Sequence, residues 1–415
     1  MSPSFSGRSF SRGRRPRLAA ESQQSNLGRK HRPDYALLIL MSLLLVVGAV
    51  VVYAIGPGLT NGKNLPENYF SSKQLTAIGL GIVGFIFASW LPLESWKRWQ
   101  APLILLAAVV ALAVRYIGEE INGAHRWIQV GGFSFQAAEL VKLALVIWLA
   151  DFLTSRRIEG KMGSPDTLKW LGAVVATIVV VVAGLQSDFG SAAVMMAVIG
   201  LTALVAGLPL RRLLLVGAAV FLLGTIAIVS TPYRRDRVAT FLNPEADCQT
   251  EGYQACQAII TVGSGGLFGK GLGRSVQAYG YLPEPANDSI FAIVAEKFGF
   301  VGASSVLIVF WLLFRRIATI ARQAPTDYTR LLVTGVLIWL SAQMIINVGA
   351  MIGLLPLKGI TLPFVSYGGT SIIFVMIAMG IVFQISRYTD LSASRKSQSE
   401  RSDRTNTIRF QRGTL

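Results

Sequence analysis

The sequence predicts an all-α polytopic membrane protein with about ten transmembrane helices and one large extracytoplasmic loop. Three observations carry this. The 415 residues are 52% hydrophobic and only 15% charged, against about a quarter charged in soluble domains. Apolar runs near the ~20 residues of a helical span recur along most of the chain. Those runs lack the residue-by-residue alternation of membrane β-strands.

The predicted span cores are Tyr35–Ile55, Gln74–Leu91, Ala101–Ile117, Gln136–Leu153 and Leu168–Leu185. The later ones are Gly190–Ala206, Leu213–Ser230, Ile290–Phe314, Leu331–Met351 and Pro363–Ile385. With the N-terminus in the cytoplasm, every second loop should be basic. Lys97 and Arg98 fit, as do Arg156, Arg157, Lys161, Arg211, Arg212, Arg315, Arg316 and Arg322. The opposite loops hold Glu67, Glu119, Glu120, Glu245, Glu251 and Glu284. An even number of spans returns the C-terminus to the cytoplasm. The chain thus divides into a basic cytoplasmic tail (1–34), a membrane domain (35–387) and a second basic tail (388–415). The large loop, 231–289, faces the exterior.

Much of the net charge of +17 gathers in these tails, which flank the membrane block. They read as topology signals that touch anionic lipid, not as a nucleic-acid surface. Cys248 and Cys256 both fall in the exterior loop, where oxidation is permitted. A small disulfide loop and two free thiols are both open on spacing alone.

Two apparent motifs fail. Gly79-Leu-Gly-Ile-Val-Gly84 matches a dinucleotide fingerprint but lies inside an apolar span, where it reads as small-residue helix packing. Gly269-Lys270 resembles a P-loop, but Ser264 and Gly271 break the pattern. His31 and His125 stand far apart, so no His-rich metal site is expected.

Several residues are placed for chemistry. Glu139 and Lys142 stand three apart on one helix, so they form either a structural ion pair or the polar wall of a cavity. Asp188, after Gln186, is either a helix N-cap or part of that wall. Arg126, in Asn122-Gly-Ala-His-Arg-Trp127, either grips a phosphate or snorkels beside an aromatic anchor. The large loop adds Arg234, Arg235, Arg237, Gln254, Lys270 and the glycine run 265–273, whose backbone N–H groups can approach an anion. Asp288 precedes an apolar helix. It is either that helix's N-cap or a carboxylate that takes a proton at the membrane surface.

Taken together, the blocks resemble the SEDS family of polytopic membrane proteins. They are Gly123-Ala-His-Arg-Trp-Ile128, Gln136-Ala-Ala-Glu-Leu-Val-Lys142, Gln186-Ser-Asp-Phe-Gly190, Tyr233-Arg-Arg-Asp-Arg-Val238, Gly252-Tyr-Gln254, the glycine run, Leu282-Pro-Glu284 through Phe291, and Gly359 through Gly369. The resemblance covers roughly 35–387 and leans towards the cell-division branch. It implies a peptidoglycan glycosyltransferase of the bacterial cytoplasmic membrane that polymerises lipid II at the outer face. Asp288 is then the catalytic residue. Arg126, Glu139, Lys142, Asp188, Arg234, Arg237, Gln254 and Lys270 are substrate-binding candidates. The implied partners are a class B penicillin-binding protein and other divisome membrane proteins. No protein-held metal is expected, and a divalent cation, Mg or Mn, is left open. A lipid II flippase and an elongation-type polymerase are the alternative readings. The chain departs from the family pattern at Ala286, Asn287, Ser289, Ser187, Ala137 and Lys297. The loss of two family prolines at 187 and 137 predicts straighter helix ends.

Overall fold

A computed structural model describes residues 31–60, 65–121, 124–130, 133–229, 248–249 and 252–389. Arg234, Arg237 and nearly all of both basic tails lie outside the described residues. The helices are α1 (Tyr35–Thr60), α2 (Tyr69–Trp90), α3 (Leu93–Ile117), α4 (Ala137–Ile158) and α5 (Pro165–Ile178), which continues as a π-helical stretch through Val179–Leu185. Then follow α6 (Phe189–Ala206), α7 (Leu210–Val229), the short α8 (Tyr253–Ser264), α9 (Ile290–Arg322), α10 (Asp327–Met351) and α11 (Gly369–Ser386). Eight of them are long and apolar enough to cross a membrane. The equally long α4 and α7 bring the bundle to the ten elements that the apolar runs predict.

The core forms around α11, which is apolar on all sides and mostly buried. A helix buried all round needs no polar face. It packs most extensively against α2. The contact depends on small residues. A Cβ on Gly81 would sit 2.6 Å from Met376 Sδ, one on Gly84 2.8 Å from Ile377 Cγ1, and one on Gly380 2.5 Å from the Phe85 carbonyl. The Gly79–Gly84 run is therefore a packing seam, as its apolar setting suggests. The peripheral α2, α3 and α5 leave large apolar side chains exposed, among them Leu75, Phe87, Leu105 and Val180.

Both ends of the domain lie at one end of the bundle. The His31 N–H donates to the Arg387 carbonyl (2.6 Å), and the Asp34 N–H donates to Ser386 Oγ (3.1 Å). Arg316 pairs with buried Asp34 there. Lys97 pairs with Asp151 (3.1 Å) and Arg157 with Asp327 (3.3 Å) on the same set of helix ends and connections.

At the opposite end, α3 and α4 are joined by a sheet that the apolar runs do not signal. Strands β1 (Glu119–Ile121), β2 (Ala124–Val130) and β3 (Phe133–Gln136) pair antiparallel in the order β1-β2-β3. Trp127 lies opposite Gln136. Straighter helix ends are not found before Asp188. The π-helical stretch widens the end of α5, and Ser187 takes a left-handed φ of 53°.

Helix α9 is broken at Gly299 (φ 67°, ψ −168°). A break inside a membrane bundle frees backbone groups that need new partners. The glycine run supplies them. Lys270 N–H donates to the Glu296 carbonyl (2.9 Å) and Gly271 N–H to the Lys297 carbonyl (3.0 Å). In return, Phe300 and Val301 N–H groups donate to the Gly266 and Leu267 carbonyls (2.9 and 3.1 Å). The approach is close: a Cβ on Gly299 would lie 2.3 Å from Gly269 N. These N–H groups serve α9 and are not free to cradle an anion.

Among the described residues, Glu139 and Lys142 form an ion pair (2.8 Å) with both side chains 2% exposed. Lys142 also donates to Gln343 Oε1 (3.4 Å) and lies over the Trp339 ring (5.5 Å). Removing one member of a buried pair strands the other charge, at a cost of about 3–5 kcal/mol. Lys142→Met should therefore lower the melting temperature of the detergent-purified protein sharply. Glu139→Gln/Lys142→Met should recover most of the loss in the same thermal assay.

Candidate active site

The turn before α9 is fixed through its backbone. Three successive carbonyls are each held by a different donor from elsewhere in the chain. Tyr367 N–H donates to Ala286 O (2.8 Å), Ser366 Oγ to Asn287 O (2.6 Å) and Asn347 Nδ2 to Asp288 O (2.6 Å). Ser289 is fully buried beside Asp288. Its hydroxyl donates to the Pro283 carbonyl (2.9 Å) and accepts from Gln254 Nε2 (3.3 Å). Gln254 comes from α8, whose first turn is tied down by the Cys248–Cys256 disulfide (Cα–Cα 5.6 Å). Closing so short a loop stabilises by about 2.5 kcal/mol in the chain-entropy picture. Of the two states open to these cysteines, the structure has the disulfide.

Asp288 does not cap α9. The N-cap is Ser289, with no side-chain capping bond. The Asp288 side chain is partly exposed as a whole, yet its Oδ1 is sealed from solvent and has no hydrogen-bond partner. Burial pushes its pKa up from 3.8 to about 7, and the negative charge of Glu284 adds to the rise. Backbone hydrogen bonds at Asp288 and Ser289 and the Gln254 side chain pull the other way and lose. A carboxyl that titrates near neutrality can both accept and release a proton at working pH.

Positive charge faces it. Arg126, on β2, spends Nε on the Gln186 carbonyl (3.2 Å) and Nη2 on the Ser187 carbonyl (2.6 Å). Its Nη1 turns towards Gly359. A Cβ built on Gly359 would lie 3.8 Å from Arg126 Nη1 and 3.7 Å from Asp288 Oδ2, so this glycine separates the guanidinium from the carboxylate. Its left-handed φ of 62° also suits glycine. Lys358 lines the same cleft beside Asp288 and Asn347, with its ammonium 5.5 Å from the Phe189 ring centroid. Among the described residues, the non-glycine positions with positive φ are Ser187, Glu284 and Phe364. All three adjoin segments that build this cleft, as strain often does at functional sites.

The other candidates divide. Gln254 is in the site. Asp188 caps α6 by accepting from Ser191 N–H (2.9 Å), and its second oxygen accepts from Gln136 Nε2 (3.1 Å). With the side chain 3% exposed, its oxygens serve the scaffold. Glu139 and Lys142 lie deeper, joined to the cleft through Gln343. Lys270 is held by Glu296 (3.4 Å) beside the break in α9, and so does not line the Asp288 cleft. Among the described residues no group of three or more His, Cys, Asp or Glu side chains is placed to hold a metal ion. Lys358 and Asn347 were not singled out from sequence. The available signals were a basic residue just before the Gly359 block and two amides, Gln343 and Asn347, four apart in an apolar helix.

The family model of cell cycle proteins that comprises FtsW, RodA and SpoVE matches residues 35–391. The chain belongs to the FtsW/RodA/SpoVE family. It is 35% identical over 364 residues to stage V sporulation protein E of Bacillus subtilis, covering 87% of this chain and 99% of that one. It is 36% identical over 372 residues to a "Probable peptidoglycan glycosyltransferase FtsW" of Saccharophagus degradans, covering 88% and 95%. Its fold is similar to a chain of a peptidoglycan synthase complex that coordinates polymerization and crosslinking (TM-score 0.69, 29% identity, 86% of this chain and 99% of that one). It is also similar to the rod shape determining protein RodA of Thermus thermophilus (TM-score 0.61, 28% identity, 86% and 98%). FtsW/RodA/SpoVE membership accounts for the blocks quoted from the sequence, of which the turn before α9 and the segment before α11 line the cleft, with Arg126 of β2 and Gln254 of α8 beside it.

Because Glu284 raises the Asp288 pKa, Glu284→Gln should lower it. A pH titration of whichever reaction Asp288 supports should then show its acid limb moved to lower pH, with the plateau rate little changed.

Proposed function

We propose that this chain is a peptidoglycan glycosyltransferase that polymerises lipid II at the outer face of the bacterial cytoplasmic membrane during septal wall synthesis. One observation carries the reading. Asp288, with a sealed and unpartnered oxygen and a pKa pushed up to about 7, lies across Gly359 from Arg126, and Lys358 lines the same cleft. A base opposite cations is what glycosyl transfer from a lipid diphosphate requires.

In this mechanism the acceptor GlcNAc 4-hydroxyl gives its proton to Asp288 as its oxygen attacks the MurNAc anomeric carbon of the donor. The bond from that carbon to the diphosphate oxygen breaks. The anomeric centre inverts to a β-1,4 link, and undecaprenyl pyrophosphate leaves. Arg126 Nη1 and Lys358 offset the charge on the leaving diphosphate. Arg234 and Arg237 are further candidates for that role on sequence grounds. The lipid tails lie along the exposed apolar faces of the bundle.

The orientation places both termini in the cytoplasm. It is supported by the basic residues Lys97, Arg157 and Arg316, which meet at the end where α1 begins and α11 finishes. The cleft then opens outside. The names of the relatives support the enzyme class, and the synthase complex supports a transpeptidase partner of the penicillin-binding class.

The test is polymerisation of lipid II by purified protein in detergent, read as glycan strands on a gel. Asp288→Asn should lose 10²–10⁴-fold, roughly 3–5 kcal/mol of barrier. The wild-type rate should fall about tenfold per pH unit below about 7, where the carboxylate is protonated. Full activity in Asp288→Asn would remove the base from the mechanism.

A further inference from the structure

We infer that Asn347 is a positioning residue for the Asp288 reaction: its one side-chain amide fastens the base-bearing turn to the cation-bearing segment and sets the gap between them. The inference rests on the glycosyl-transfer reading and adds to it a residue that touches neither sugar nor diphosphate.

Asn347 sits in the apolar helix α10 and is 2% exposed. Its Nδ2 donates to two carbonyls from distant parts of the chain, Asp288 O (2.6 Å) and Ile360 O (2.7 Å). Both partners are acceptors, so the amide orientation is fixed by the bonds it makes. Ile360 follows Lys358 and Gly359 directly. One amide therefore holds both walls of the cleft. Its Oδ1 is buried without a partner. An orphaned acceptor in an apolar helix destabilises the fold. The orphaned Oδ1 costs stability, so the amide is kept for the two carbonyls that its Nδ2 holds together.

One turn earlier, Gln343 repeats the device. Its Nε2 donates to Thr361 O (3.3 Å) and Thr361 Oγ1 (3.2 Å), while its Oε1 accepts from Trp339 Nε1 (2.6 Å) and Lys142 Nζ (3.4 Å). The two amides are four residues apart and so share a helix face. They form a ladder that runs from the buried Glu139–Lys142 pair, through residues 360–361, to Asp288.

The charged groups around Asp288 are Glu284 from its own turn, Arg126 from β2 across Gly359, and Lys358 from the segment before α11, whose ammonium lies by the Phe189 ring. Helix α8 contributes Gln254 and α10 contributes Asn347, neither of them charged. Loss of the amide lets the carboxylate move relative to these charges. A rate effect and a shifted pH profile should therefore appear together, a pairing that a purely structural role does not produce.

The experiment measures kcat, KM for lipid II and the pH profile for Asn347→Ala, Asn347→Ser and Asp288→Asn, each purified full-length and checked for folding by thermal melting. Asn347→Ala should lower kcat 10–100-fold with KM within about threefold, since a misplacement near 1 Å costs about 10²-fold. Its acid limb should move away from about 7. Asn347→Ser keeps one donor and should recover part of both effects. In an Asp288→Asn background, Asn347→Ala should add little, because both changes disable one device. If Asn347→Ala melts out, the serine variant alone decides. Unchanged kcat and pH profile in a folded Asn347 variant, with Asp288→Asn inactive, would overturn this inference and leave the glycosyl-transfer reading standing. An active Asp288→Asn would instead overturn the reading beneath it.

Discussion

Irregular backbone inside a helical membrane bundle must find hydrogen-bond partners within the protein. That requirement shapes the region around Asp288 more than any single side chain does. The turn that carries Asp288 offers three carbonyls in a row, and Tyr367, Ser366 and Asn347 hold them one by one. The break in α9 at Gly299 raises the same problem a few residues on, and the glycine run answers it through Lys270, Gly271 and two return bonds. The result is a turn held from both sides, ahead of a helix that is itself braced. The aspartate's setting thus rests on distant donors for its backbone and on Ser289 and Glu284 for its near surroundings.

Holding the turn by its backbone leaves the carboxylate to its environment. Burial and Glu284 destabilise the charged form, while Arg126 stands across Gly359 and Lys358 lines the same cleft. The linkage has a sign. A carboxyl whose folded pKa lies above its unfolded value favours the folded state at low pH, and that contribution is lost as pH rises through about 7. The site therefore gives up stability at the pH where its base is ready, a trade common at catalytic centres.

Much of the architecture was legible in the sequence. Apolar runs gave ten long helices because length and hydropathy are all a membrane span needs. The packing role of Gly79–Gly84 followed from its place inside such a run, although Gly79 itself meets nothing. The sheet at Glu119–Gln136 is not legible in hydropathy, since short strands carry little of that signal. A hairpin signal was there, in Gly131-Gly132 between two runs rich in β-formers. The anion-cradle reading of the glycine run failed because composition cannot say where an N–H group is spent. Asp188 and Asp288 looked alike, each ahead of an apolar helix. Only the three-dimensional structure separates a satisfied cap at Asp188 from a carboxylate with one sealed, unpartnered oxygen at Asp288. Lys358 and Asn347 escaped because each is one polar residue in or beside apolar sequence, with meaning only across the fold.

The account turns on Asp288 being a carboxyl that changes protonation near neutral pH in the resting protein. Site-resolved titration of that carboxyl, by ¹³C chemical shift or by infrared difference spectra against Asp288→Asn, measures this without substrate. A midpoint close to 7 is the value the account predicts. A midpoint near 4, the ordinary range of an exposed aspartate, would contradict it.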